Sequence, residues 1–143
     1  MDLALQAARA AGEAGEVPVG CVIVRGDEAI AQAGNRTLAD CDPTAHAEML
    51  AIRSAAATLR SERLIECDLY VTLEPCTMCA AAISFARIRR LYYGAADAKG
   101  GAVESGVRYF SAATCLHRPQ IYGGICEIEA GTLIRQFFRA RRG

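Results

Sequence analysis

The order of elements along this chain predicts an α/β domain in three layers, with helices on both faces of a mixed five-stranded sheet. Three observations carry the prediction. An apolar, β-branched run, VPVGCVIV (17–24), is followed after a short turn by a second strand-like stretch, which makes an antiparallel hairpin. Two helix-start signals, Asp42-Pro43 and Pro75, each open a helical stretch that leads on to a further strand, so later strands are joined by crossovers. The chain then closes on an amphipathic helical segment.

Residues 2–14 are Ala-rich with few breakers and read as a helix that ends near Gly15. The run 17–24 has no polar interruption, as a strand buried on both faces requires. Arg25-Gly26-Asp27 is a turn, and EAIAQAGN (28–35) pairs back on the first strand. A helix is expected from about Thr44 to Leu59, with Asp42 as N-cap and Pro43 at its first position. DLYVTLEP (68–75) is the third strand, residues 76–86 the next helix, and RLYYG (90–94) the fourth strand. Residues 95–120 are Gly-rich and irregular, with one helical turn expected around Val107–Ser111. Gln120–Tyr122 completes the sheet as a short fifth strand. From Cys126 to Arg141, the apolar residues Ala130, Leu133, Ile134, Phe137 and Phe138 recur at helical spacing. Residues 1–143 read as a single domain without a linker.

Composition narrows the function. The 52% hydrophobic and 22% charged content is that of a globular chain, with no solenoid period and no heptad run. The N-terminus lacks the basic region of a signal peptide, and no stretch approaches the ~20 apolar residues of a membrane span. Seven cysteines without a secretory signal point to a reducing compartment, so a cytoplasmic location is expected rather than a disulfide framework. Cys21, Cys67 and Cys126 read as small buried hydrophobes; Cys41 and Cys115 fall in loops and receive no role. The net charge of zero is unevenly spread: residues 1–86 carry −6 and residues 87–143 carry +6. The basic end, FFRARRG, reads either as a polyanion-binding surface or as cations at the negative end of a helix dipole.

The chemistry is concentrated in His46-Ala47-Glu48 and Pro75-Cys76-Thr77-Met78-Cys79. Structural zinc sites close the tetrahedron with four Cys or His ligands, whereas catalytic sites use three and leave one position for water. His46, Cys76 and Cys79 supply three soft ligands, and Glu48 is a carboxylate that is not needed as a fourth. Cys76 and Cys79 share one face at i, i+3, in a first helical turn that favours thiolate. His46 and Glu48, at i, i+2, would point about 200° apart on a regular helix, so they converge only if the metal sits off the helix end. Thiolate and imidazole ligands with a redox-silent role favour zinc. A closed zinc knuckle would need a fourth ligand such as His117 or another Cys.

HAE followed by PCxxC is the signature of zinc-dependent nucleobase deaminases. The resemblance extends through EVPVG (16–20), NRT (35–37), DPTAHAEM (42–49), LYVTLEPCTMC (69–79), ARI (86–88), YGAADAKGGA (93–102) and FFRARR (137–142). With these segments the chain resembles the tRNA-specific adenosine deaminases of bacteria, most weakly at residues 1–12 and 105–120. The resemblance implies a cytidine-deaminase-like fold, a homodimer, and hydrolysis of adenosine to inosine at the wobble position of a tRNA anticodon. It assigns one Zn2+ per chain to His46, Cys76 and Cys79, with a zinc-activated water and Glu48 as proton shuttle. Asn35 matches a residue that contacts the flipped base, although as a residue following Gly34 it also reads as a turn residue. Backbone at Ala47 and Glu74 would contribute to the pocket. Asp97 and Lys99 match positions that touch the anticodon backbone, and Phe138, Arg139 and Arg142 match the helix lining the RNA path. Phe137 and Phe138 are adjacent, so a helix cannot bury both equally. An exposed aromatic beside Arg would suit a splayed base, at roughly 1–3 kcal/mol per stack.

The signature is shared with free nucleobase or nucleoside deaminases acting on guanine or cytosine. The basic end and the DAKGGA loop favour RNA, since a small neutral base needs no Arg cluster. A zinc RNA-binding module without turnover is the remaining alternative, and Glu48 speaks against it.

Overall fold

The computed structural model describes residues 1–142, with side chains through Arg141. The chain runs α1 (Asp2–Glu13), β1 (Gly20–Arg25), β2 (Glu28–Gly34), α2 (Ala47–Leu59), β3 (Cys67–Leu73), α3 (Thr77–Phe85) and β4 (Arg90–Ala95). A single 3-10 turn (Tyr109–Ser111), β5 (Gln120–Tyr122) and α4 (Glu127–Arg142) follow. The sheet order is β2-β1-β3-β4-β5. β1 is antiparallel to both of its neighbours, while β3, β4 and β5 are parallel. Helices α1 and α4 pack on one face and α2 and α3 on the other, which gives the expected three layers.

Burial explains the strand pattern. β3 is covered on both faces, so five of its seven residues are buried, with Leu69 and Val71 at 0% exposure. The core on the α2/α3 side gathers Ile23, Leu69, Val71, Ile83, Ile88 and Leu91. The antiparallel hairpin is pinned to α1 by close backbone approach. A Cβ on Gly20 would lie 1.9 Å from the Ala4 carbonyl oxygen, so only glycine lets α1 settle on β1. α1 itself buries Ala4, Leu5, Ala8 and Ala11, one stripe at helical spacing. The ARI segment belongs to this interior as well: Ala86 is 4% exposed and Ile88 is fully buried.

Because β1 opposes both β2 and β3, those two strands run the same way. Their carboxyl ends share one edge of the sheet, and each leads to a helix. The N-termini of α2 and α3 therefore meet at that edge, where α/β sheets place their sites.

Three local expectations are corrected. β1 begins at Gly20 rather than at 17, because Val17 and Val19 close a tight turn (Val19 N–H to the Val17 carbonyl, 2.8 Å). α2 begins at Ala47, and Asp42 is not its N-cap. Instead Asp42 Oδ1 accepts from the Thr44 amide (2.8 Å) and the Thr44 hydroxyl (2.7 Å), a local turn that competes with the helix and takes Pro43 with it. Cys126 is exposed, at φ 56°, in the tight entry to α4, so it is not a core residue.

Candidate metal centre

His46 is the N-cap of α2, with φ −73° and ψ 153°, and Cys76 is the N-cap of α3, with φ −73° and ψ 177°. Both ligands therefore sit in extended backbone one residue outside a helix. This resolves the angular conflict between His46 and Glu48, because His46 does not follow the helical rotation that fixes Glu48. Cys79 lies in the first turn of α3 and is fully buried.

The three ligand atoms lie within 4.8 Å of one another. His46 Nδ1 is 3.6 Å from Cys76 Sγ and 3.5 Å from Cys79 Sγ. Tetrahedral zinc, with Zn–N about 2.1 Å and Zn–S about 2.3 Å, separates nitrogen and sulfur ligands by about 3.6 Å. The site thus has the dimensions of a zinc centre. No fourth His, Cys, Asp or Glu joins the cluster among the described residues. His117, the alternative fourth ligand, is engaged elsewhere, with Nε2 2.7 Å from the Ile88 carbonyl oxygen. The set is open rather than closed, and it is a zinc-binding site of the catalytic kind.

Electrostatics agree with the geometry. A hydrogen bond from Cys79 and a second contact with His46 lower the Cys76 thiol to about 4, against burial. Cys79 is raised as the partner that keeps the proton, and burial adds to the rise. His46 is raised, chiefly by its hydrogen bond with Cys76. Metal binding displaces such protons from the ligands. Glu48, 4% exposed, has its carboxyl pushed up to about 7 by burial, with the nearby Cys76 charge adding to the rise.

His46, Cys76 and Glu48 line a cavity of about 330 Å3, with Val17, Val19 and Leu73 as apolar walls. Asn35, Ala47, Glu74 and Asp97 are at this cavity too, as is Thr37, which the sequence did not single out. The Asn35 side-chain oxygen is buried and lacks a hydrogen-bond partner, so it is available to a ligand donor.

A second space, about 890 Å3, adjoins the first and shares Val17, Leu73, Asp97 and Gly100 with it. It is a groove along α4, lined by Lys99, Arg135, Phe138 and Arg141. Phe138 is 42% exposed there. Phe137 turns aside and lies beneath the Arg141 guanidinium, 3.6 Å from the ring centroid. Arg139 is exposed and lines neither space, and the Arg142 side chain is outside the described residues. Helical period could have found the groove cations: counted from Phe138, Arg135 and Arg141 fall at i ± 3, whereas Arg139 is turned about 100° away.

Two further buried carboxylates hold loop backbone. Glu16 accepts from the Leu38 and Ala39 amides, at 3.1 and 2.8 Å. Glu74 accepts from the 97–105 segment. Burial alone would raise the Glu74 carboxyl, but these donors outweigh it and its pKa is lowered. The sequence had marked Glu74 only through the resemblance, for its backbone.

Residues 1–95 match the family of the cytidine and deoxycytidylate deaminase zinc-binding region. The chain is 63% identical to the tRNA-specific adenosine deaminase of Agrobacterium fabrum, over 99% of this chain and 93% of that protein. A structure from biochemical and structural studies of A-to-I editing by tRNA:A34 deaminases at the wobble position of transfer RNA superposes with a TM-score of 0.92. It is 62% identical and covers 93% of this chain and 96% of its own. Guanine deaminase from Bacillus subtilis superposes less completely, at a TM-score of 0.65, with 41% identity over 66% of this chain and 61% of its own.

Proposed function

This chain belongs to the tRNA-specific adenosine deaminases, within the cytidine and deoxycytidylate deaminase zinc-binding family, and from that membership we infer its reaction. It hydrolyses adenosine to inosine at the wobble position of a tRNA anticodon. The observation that carries the substrate is continuity: a base-sized zinc cavity opens directly into a cationic groove with an exposed phenylalanine. A free base would fill the cavity and leave the groove without a purpose.

In the reaction a C6–O bond forms and the C6–N bond breaks, so one water is consumed for each ammonia released. When bound, zinc lowers the pKa of water from about 15.7 towards 7. Glu48 takes one proton from the attacking water and delivers it to adenine N1, then takes the second from the new C6 hydroxyl and delivers it to the departing amine, so inosine keeps its N1 proton and ammonia leaves. Its burial beside the ligands and its raised carboxyl pKa of about 7 suit a group that must both accept and donate near neutrality. Asn35 offers its unpartnered oxygen to a donor of the flipped base. Val17, Val19 and Leu73 hold the base between apolar walls and exclude bulk water. Along the groove, Lys99, Arg135 and Arg141 meet phosphates, and Phe138 stacks with a splayed anticodon base.

The chain acts as a homodimer in this reading. Ile65, Phe85 and Leu116 are 60%, 70% and 77% exposed, and all three lie about the end of α3: Leu64 bonds to Ala86, and Ser84 bonds to His117. A second copy would cover this apolar patch. No described helix is long and apolar enough to cross a membrane. Seven free cysteines, two of them metal ligands, suit the reducing cytoplasm.

Single-turnover assays on an anticodon stem-loop with adenosine at the wobble position, on free adenosine, and on free guanine or cytosine test the reading. Inosine in the stem-loop alone is the expected result. Turnover of a free base without action on RNA would keep the zinc chemistry and overturn the substrate.

A further inference from the structure

Glu74 is a buried carboxylate that the proton transfers above do not use. Its two oxygens accept five hydrogen bonds, all from one segment. Oε1 accepts from the Asp97 amide and the Ser105 hydroxyl, each at 3.0 Å. Oε2 accepts from the amides of Val103 (3.0 Å), Glu104 (2.9 Å) and Ser105 (3.0 Å). A Cβ on Gly101 would lie 2.5 Å from the Glu74 carboxyl carbon, so the segment is wrapped around the carboxylate as closely as backbone allows.

The wrapped segment is the partition of the site. Asp97 and Gly100 line both the base cavity and the groove, and Lys99 faces the groove. We propose that Glu74 is a positioning residue for the polynucleotide substrate: by gathering the 97–105 amides it fixes the wall against which the base and its flanking phosphates are aligned. The proposal rests on the tRNA reading above and deepens it.

The segment has other ties that let the fold survive without this carboxylate. Ala102 N–H bonds to the Pro75 carbonyl (2.9 Å), Tyr109 N–H bonds to the Ala102 carbonyl (2.7 Å), and the Tyr93 hydroxyl donates to Glu104. Asp97 Oδ1 keeps its own turn through the amides of Lys99 and Gly100, each at 3.1 Å. Loss of Glu74 therefore frees the wall without unfolding the sheet edge.

Glu74→Gln tests this, because an amide NH2 must face N–H donors on one side or the other. Gly101→Ala perturbs the same contact from the loop side and serves as the second variant. Three quantities are read: zinc per chain, hydrogen exchange of the Asp97, Val103, Glu104 and Ser105 amides without RNA, and the kcat and KM for an anticodon stem-loop. Both variants are expected to keep one zinc and to exchange those amides faster. Their kcat/KM should fall by on the order of 10²-fold, carried mainly by KM. Unchanged amide protection, loss of zinc, or a fall in kcat at constant KM would overturn the positioning role. Wild-type inactivity on the stem-loop would instead sink the substrate reading, so the two failures are distinct.

Discussion

Glu48 and the three ligands act through their immediate surroundings, and each can be tested alone. Glu48 is buried within the first turn of α2 but lies outside the ligand set, which leaves its side chain for the proton transfers proposed for it. Glu48→Gln is expected to keep zinc and fold while losing turnover by roughly 10²–10⁴. Zinc analysis beside single-turnover rates checks this, and near-wild-type activity would remove Glu48 from the mechanism. Cys79→Ala removes one of three ligands, and nothing nearby replaces it among the described residues. Zinc content well below one per chain is the expected result; an undiminished content would mean a different ligand set. The residue types and their spacing made this part of the site legible. Glu16 received no role and Glu74 was read only for its backbone, because the partners of both side chains lie 22 to 31 residues away.

At the scale of elements, the site depends on where two helices begin. Asp42-Pro43 carries the sequence signal of a helix start, yet the Asp42–Thr44 turn delays α2 to Ala47. That delay leaves His46 extended and free to face Cys76 and Cys79. A propensity rule misses it because the local turn and the helix compete for the same backbone groups. α4 makes the complementary point. Its periodicity was readable, but which cations meet the groove depends on how the helix is rotated against β4. Arg141 fixes the helix end by donating to the Gly15 carbonyl (3.1 Å) while covering Phe137. Replacing Arg135 and Arg141 together by Ala should weaken stem-loop binding and reduce the slope of log K against log[salt] by about 1.4, two phosphates at ~0.7 each. Arg139→Ala should change that slope less. Titrations across salt concentrations decide between them, and an unchanged slope in the double variant would make the cluster a helix terminus only.

For the whole molecule, the sheet brings distant segments to one edge and divides the charge. The acidic first part of the chain supplies most of the cavity lining, and the basic last part supplies the wall at Asp97 and Gly100 and the groove cations. The same arrangement leaves the apolar end of α3 uncovered, with Phe85 70% exposed. Phe85→Asp would place an unpaired charge within the self-interface proposed for this patch. Sedimentation should show a dimer for the wild type and a shift towards monomer for the variant. A monomeric wild type would leave that patch to another role.

The sequence by itself determined the chemistry and the layer order. Ligand identity is covalent, strand and helix periodicities are local, and the apolar run at 17–24 and the alternating, β-rich stretch at 68–73 have few other ways to be buried. Only the tertiary structure decided the convergence of His46, Glu48, Cys76 and Cys79. That required β2 and β3 to run the same way on either side of an opposed β1, and two ligands to sit just outside their helices. It also decided that Asp97 and Gly100 form a wall shared by cavity and groove, held from behind by Glu74. Such contacts join residues far apart in the chain through backbone donors, which carry no sequence signature of their own.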